Sequence, residues 1–113
     1  MKLTEIAKFT NNVAGMSAFY RRLLGTEPVA ESPDMAIFMS GETKIFIHKL
    51  YRQGADDLPP ENHIAFTVDD VDKTCAVLQS QGLTVDTPPK DYYWGRFAYL
   101  HDPDGQLIEI TNP

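Results

Sequence analysis

The side chains in this sequence that could take part in catalysis or metal binding are two carboxylates within apolar strands and two histidines. Glu109 interrupts a run of aliphatic residues, and Glu5 lies on a largely apolar strand face. Burying a carboxylate is costly unless it meets a metal ion, a cation or strong hydrogen-bond donors. His48 and His63 belong to two further predicted strands. These four residues therefore require partners, and the elements that carry them decide whether they can meet.

A β-hairpin is predicted over Arg96–Ile110. Asp-Pro-Asp-Gly at 102–105 separates two apolar runs, and Pro followed by Gly at that spacing favours a tight reversal. Glu109 lies on the second strand of this hairpin.

The first part of the chain predicts one strand, one helix and further strands. A helix capped by Asn11 or Asn12 is expected to end at Gly25, because apolar residues recur between them at helical spacing. The strands are predicted at Leu3–Phe9, as a short edge within 26–32, at Met35–Met39 and at Lys44–Leu50.

The second part of the chain repeats this order. After a Gly- and Pro-containing linker over 52–62 come a strand, a helix capped by Asp69 or Asp70 that ends at Gly82, a short strand and a loop before the hairpin. The strands are predicted at His63–Val68 and Leu83–Val85, and the loop at Asp86–Gly95. One domain is expected, with module 1 at about 1–51 and module 2 at about 63–113.

The repeat places the four candidate residues at equivalent positions. Glu5 aligns with His63 at an offset of 58 residues, and His48 with Glu109 at an offset of 61. Small changes in loop length between duplicated modules produce such a difference between the two offsets. The first strand and the last strand of each module therefore each carry one candidate.

Composition narrows the classes of partner. The chain has 113 residues, a net charge of −6 and a pI near 4.8 with no basic cluster, so nucleic-acid binding is not expected. The apolar runs are too short for a transmembrane helix, and the N-terminal residues lack a signal-peptide pattern, so a cytoplasmic location and no membrane partner are expected. The single cysteine, Cys75, is interpreted as a small buried hydrophobe.

Several motifs resemble the vicinal oxygen chelate superfamily, which includes glyoxalase I, extradiol dioxygenases and bleomycin-resistance proteins. The motifs are Ser17-Ala18-Phe19-Tyr20 with Leu24-Gly25, Asn62-His63-Ile64-Ala65-Phe66, Trp94-Gly95-Arg96, and the segment from Asp102 to Glu109. The resemblance implies an α+β fold of two βαβββ modules, whose strands curl into an incomplete mixed β-barrel with the helices outside. It also implies a homodimer that acts on a small molecule.

The resemblance also implies a metal site. Ligands in the family come from the first and last strands of the modules, which are the positions of Glu5, His48, His63 and Glu109. Two imidazoles and two carboxylates suit Fe, Mn, Co, Ni or Zn as a divalent ion. The order differs from the glyoxalase pattern, since Glu comes first and His second.

Three functions are consistent with these residues. The first is a lyase or isomerase that binds adjacent substrate oxygens on the metal, with Glu109, or secondarily Glu5, moving a proton. The second is an Fe(II) ring-cleaving dioxygenase that uses His48, His63 and Glu109. The third is metal-free ligand binding of the bleomycin-resistance type.

Three further residues are candidates for the substrate pocket. Tyr92 and Trp94 lie in an aromatic run, which favours ligand binding and could equally cover core. Arg96 could bind a substrate carboxylate or phosphate, or form a surface salt bridge.

Overall fold

A computed structural model describes residues 1–54 and 57–113, and these residues form two helices and eight strands. The helices are α1 (Val13–Leu24) and α2 (Val71–Ser80). The strands are β1 (Lys2–Thr10), β2 (Ala30–Ser32), β3 (Met35–Ser40), β4 (Thr43–Lys49), β5 (His63–Thr67), β6 (Thr87–Tyr92), β7 (Gly95–His101) and β8 (Leu107–Thr111).

The order of elements is strand, helix and three strands, twice over. In each unit the described strands form a mixed sheet of parallel and antiparallel pairs, with β2 at an edge of one sheet and β6 at an edge of the other. This confirms the predicted α+β class built from two βαβββ modules.

The two helices begin where the sequence placed their caps. Asn12 Oδ1 accepts a hydrogen bond of 2.9 Å from the Gly15 amide, and Asp70 Oδ1 accepts one of 3.0 Å from the Lys73 amide. Each cap satisfies a backbone N–H that has no partner within the helix. Helix α1 ends at Gly25, whose φ of 66° is accessible to glycine at little cost.

The chain forms two compact units, and the first of them comprises Glu5–Asn62. Its strand β1 runs parallel to β4, which pairs antiparallel with β3, which in turn pairs with β2. Apolar side chains on one face of these strands pack against α1, and the buried ones are Val13, Ala36, Phe38 and Ile47.

The second unit comprises Met1–Thr4 and His63–Pro113. Its strands β5 and β8 are parallel, and β7 pairs antiparallel with β8 and with β6. One face packs against α2 through the buried residues Val68, Val71, Cys75, Ala98, Leu100 and Ile110. Cys75 is therefore a core residue, and burial raises the pKa of its thiol.

Two predictions for the segment after α2 were wrong. The expected strand Leu83–Val85 is absent from the described residues, because the Leu83 amide donates to the Leu78 carbonyl and so closes the end of the helix. The expected loop instead contains β6, at the sheet edge, where proline, which has no N–H to donate, is tolerated.

The linker predicted over 52–62 includes positions 55 and 56, which lie outside the described residues. The described part of that segment contains neither helix nor strand.

Neither helix of the described chain is long and apolar enough to cross a membrane.

Substituting Asp70 with alanine should lower the free energy of unfolding by about 1 kcal/mol, because the capping hydrogen bond to the Lys73 amide is lost. Urea denaturation followed by circular dichroism would measure the change. Asp69→Ala is the matched control, since it removes the neighbouring negative charge and leaves the Asp70 cap intact. Equal losses in the two variants would contradict the assigned cap.

Candidate metal centre

His63 and Glu109 lie on neighbouring parallel strands of one unit. In the pairing of β5 with β8, His63 is opposite Leu107 and Ala65 is opposite Glu109. Side chains alternate along a strand, so the residues on either side of Glu109, Ile108 and Ile110, point toward α2. His63 and Glu109 therefore share the opposite face. We call this the site face, and it is the face that carries His63, Ala65, Tyr99 and Glu109.

The two side chains meet in a buried environment. His63 Nε2 lies 3.4 Å from Glu109 Oε2, and the side chains are only 6% and 5% exposed. The Tyr99 hydroxyl donates a hydrogen bond of 2.8 Å to the same Glu109 oxygen. An imidazole and a phenol thus offset part of the cost of burying this carboxylate.

Tyr99 is the functional residue that sequence reasoning missed. It lies directly opposite Glu109 in the pairing of β7 with β8. The signal was present, because a hairpin centred near Asp104 places residues five before and five after that point opposite each other.

Glu5 lies on β1, where it is paired with Lys44 of β4. Its side chain is 20% exposed, and Lys44 Nζ lies 3.9 Å from Oε1. The preceding residue, Thr4, belongs to the unit that contains His63, and its hydroxyl oxygen lies 2.8 Å from that of Thr67 on β5.

The structure does not bring His48 together with Glu5. In the pairing of β1 with β4, Glu5 is opposite Lys44 and Phe9 is opposite His48. The two candidates are thus four residues apart along paired strands, roughly 13 Å at about 3.3 Å per residue. One ion cannot bind both side chains across that separation.

His48 has a different environment of its own. Its Nδ1 lies 2.7 Å from the Lys49 carbonyl oxygen, which can only accept, so the ring donates there. Three aromatic rings surround the imidazole at centroid distances of 5.5–5.7 Å, those of Phe9, Phe46 and Tyr51.

Strand registers within each unit explain why His48 is displaced. Glu5 is opposite Lys44, and its counterpart His63 is opposite Leu107. Two residues further along β4 is Phe46, so Phe46 rather than His48 corresponds to Glu109. The offset from Phe46 to Glu109 is 63 residues, two more than the offset of 61 that aligns His48 with Glu109 in the sequence.

The pocket candidates Tyr92 and Trp94 stack on each other, with ring centroids 6.1 Å apart and an interplanar angle of 30°. Tyr92 also contacts Phe97 edge-on at 5.6 Å. Phe97 precedes Tyr99 by two residues on β7 and so lies on the site face. The structure therefore connects these aromatic residues to the face that carries Glu109.

Arg96 lies on the other side of the sheet. Its Nε and Nη2 atoms bind the two carboxylate oxygens of Asp72 on α2 at 2.7 and 2.8 Å, and Nη1 binds Asp91 at 2.9 Å. These hydrogen bonds hold the pKa of the Asp72 carboxyl below its usual range and raise the pKa of Arg96. Arg96 is thus a salt-bridge residue that links β7 to α2 and to β6.

The residues of the centre fit a divalent ion. Within the unit that contains them, His63 and Glu109 offer a ring nitrogen and a carboxylate oxygen to such an ion. Two ligand atoms bound at about 2.0–2.2 Å from one ion lie roughly 3–3.5 Å apart, which matches the spacing of His63 Nε2 and Glu109 Oε2. Imidazole and carboxylate ligands without thiolate are typical of sites for first-row transition metals.

Comparison with known proteins identifies the family. Residues 2–110 match the Glyoxalase/Bleomycin resistance protein/Dioxygenase superfamily, and the chain belongs to it. The uncharacterized protein YraH of Bacillus subtilis strain 168 is 32% identical over 127 aligned positions, covering 97% of each chain. The chain spans 17–38% of the length of four further curated relatives that it matches.

Two solved structures of the superfamily share the fold. A Mn(II)-bound glyoxalase from Novosphingobium aromaticivorans has a TM-score of 0.66 and 23% identity, covering 98% of this chain and 38% of that one. A methylmalonyl-CoA epimerase from Streptomyces coelicolor has a TM-score of 0.61 and 22% identity, covering 99% and 96%. At these identities the likeness establishes the architecture.

Substituting Tyr99 with phenylalanine should lower the free energy of unfolding by about 2 kcal/mol, because the buried Glu109 carboxylate loses a hydrogen-bond donor. Chemical denaturation of both proteins at pH 7 would measure it. Tyr92→Phe serves as the control, since it removes a hydroxyl from the same sheet face without touching Glu109. A Tyr99→Phe variant no less stable than the control would refute this role.

The Asp72–Arg96 ion pair predicts a pH-dependent stability. Because the pKa of Asp72 is lower in the folded than in the unfolded chain, the pair stabilises the fold above the unfolded value, near 4. This contribution is lost as the pH falls through the lowered pKa. Wild type should therefore exceed Asp72→Asn in stability at pH 6, and the difference should shrink below about pH 4. Asp69→Asn, measured by the same denaturation series, controls for the change in net charge.

Proposed function

We propose that this protein is a metal-dependent enzyme that acts on a small molecule with two neighbouring oxygen atoms. One observation carries the proposal: an imidazole and a carboxylate, His63 and Glu109, are buried side by side with ligand-compatible spacing on the site face. An imidazole nitrogen and a carboxylate oxygen at this spacing can bind one divalent ion together. Membership of a superfamily that includes glyoxalases supports this reading.

The proposed ligands are His63 and Glu109, whose ligand atoms lie 3.4 Å apart, and Glu5, which the sequence repeat predicts. His48 is omitted because it lies four residues from Glu5 along the paired strands. The proposed ion is divalent Fe, Mn, Co, Ni or Zn, since an imidazole and two carboxylates bind any of these. A Mn(II) ion is bound in one glyoxalase of the same fold.

A bound ion would polarise the substrate oxygens and stabilise negative charge that develops on them. Glu109 is assigned the proton transfer, because the Tyr99 hydroxyl fixes its carboxylate in one position and a general base must be held near the proton that it takes. Glu5 is the second choice for this role. Lyase and isomerase reactions both follow this scheme.

A metal-free binding protein is the second candidate, and the stacked rings of Tyr92 and Trp94 favour it. The dioxygenase alternative requires His48 as a metal ligand together with His63 and Glu109. The register of β4 with β1 does not favour it, because His48 lies four residues from the partner of Glu5. We further propose a cytoplasmic homodimer with a small-molecule partner.

Metal analysis tests the proposal directly. Protein purified without chelator or metal-affinity resin should contain near-stoichiometric metal by mass spectrometry. The double variant His63→Ala, Glu109→Ala should lose at least nine-tenths of it, because two buried ligands are removed. His48→Ala is the matched control and should retain the metal.

One result would refute the enzyme proposal. Wild-type protein that contains no metal after incubation with Mn(II) or Fe(II) and removal of the excess would favour metal-free ligand binding instead. Glu5→Gln provides a second variant if the double variant fails to fold, since Glu5 is partly exposed and its loss should weaken metal binding with the fold retained.

A further inference from the structure

The strongest unexplained feature of the unit that contains Glu109 is a set of three aromatic rings at one end of the site face. We propose that Tyr92, Trp94 and Phe97, which we call the aromatic platform, stack against a planar aromatic ring of the bound small molecule. The inference rests on the proposed function for the position of the substrate oxygens. It adds that the ring is separated from those oxygens by a spacer.

The platform is a continuous stack of rings. Trp94 lies nearly parallel to Tyr92 at 6.1 Å, and Phe97 meets Tyr92 edge-on at 5.6 Å. Offset and edge-to-face arrangements are those that aromatic quadrupoles favour. The rings are therefore held in fixed orientations before any ligand arrives.

One ring of the platform is open to solvent. Phe97 is buried at 8% exposure, whereas the Trp94 side chain is 60% exposed although its neighbour Tyr92 stacks on it. Leaving a large ring in water forgoes the free energy that burial would provide. A second planar ring placed on Trp94 would recover that free energy.

Gly95 allows the rings to pack this closely. A Cβ atom at position 95 would lie 3.1 Å from the Phe97 ring, which is tighter than nine in ten real contacts of this kind. Any other residue there would require the Phe97 ring to shift by a few tenths of an ångström. The glycine thus preserves the platform at the start of β7.

The strand geometry sets the distance between the platform and the proposed metal ligands. Phe97 and Tyr99 are two residues apart on β7, which is about 7 Å along a strand, and Tyr99 donates to Glu109. A ring attached directly to the carbon that bears a reacting oxygen would not extend as far as Trp94. The ligand must therefore carry its ring on a spacer of a few bonds.

Charge beside the platform favours an anionic ligand. Lys90 is opposite Phe97 in the pairing of β6 with β7, and its Nζ lies 5.3 Å from the centre of the Tyr92 ring. In a chain with a net charge of −6, this places a positive group next to the platform. The structure thus points to an aromatic acid with two adjacent oxygens.

The test compares three 2-oxo acids by calorimetric titration of metal-stripped and Mn(II)-loaded protein. 4-Phenyl-2-oxobutanoate has a ring on a spacer, phenylglyoxylate has a ring without one, and 2-oxobutanoate has none. We expect the first to bind about five- to tenfold more tightly than the other two. It should also quench the fluorescence of Trp94, the only tryptophan in the chain.

Two variants make the test specific. Trp94→Leu should abolish the advantage of 4-phenyl-2-oxobutanoate, whereas Tyr93→Leu should preserve it, because Tyr93 is fully exposed beside the platform. Equal affinities for the three acids, no measurable binding of 4-phenyl-2-oxobutanoate, or equal effects of the two variants would each overturn the proposal.

The outcome separates this inference from the proposed function. A ring advantage in protein that binds none of the three acids more tightly when Mn(II) is present would support the platform and count against the metal-dependent enzyme. Stronger binding of all three acids in the presence of Mn(II), with no ring advantage, would support the enzyme and refute the platform.

Discussion

The buried carboxylate of Glu109 is the constraint on which this site depends. A carboxylate at 5% exposure is tolerable only with strong partners, and it has the Tyr99 hydroxyl at 2.8 Å and the His63 imidazole at 3.4 Å. These partners come from β7 and β5, the two strands that flank β8. The pairing of three strands is thus what makes the polar centre possible, and the centre in turn ties those strands together.

The two units share one order of elements but differ in the residues that they carry at equivalent strand positions. Each has a strand, a helix and three strands, and each packs one sheet face against its helix. At the position where one unit holds Glu109, the other holds Phe46, next to the imidazole of His48. A buried acid and imidazole pair therefore belongs to one unit, and an aromatic cluster belongs to the other.

Strand alternation separates the roles of residues that are adjacent in sequence. Arg96 is bonded directly to Phe97, yet it points toward α2 and pairs with Asp72. Tyr99 faces Glu109, whereas Ala98 and Leu100 on either side of it fill the core beside α2. One face of β7 thus stabilises the fold and the other builds the site, because the side-chain period of a strand is two residues.

The sequence by itself determined the class of fold and the position of each helix cap to within two neighbouring residues, and it offered His63 and Glu109, with Glu5 and His48, as site candidates. These depend on local signals: capping side chains, hydrophobic period, and a repeat in which each module begins with a strand. The tertiary structure decided the remainder. Strand register placed His48 four residues along β4 from Lys44, the partner of Glu5, and contacts across β7 and β8 brought Tyr99 to Glu109. Register and cross-strand contact arise from pairing between distant segments, which no local pattern encodes.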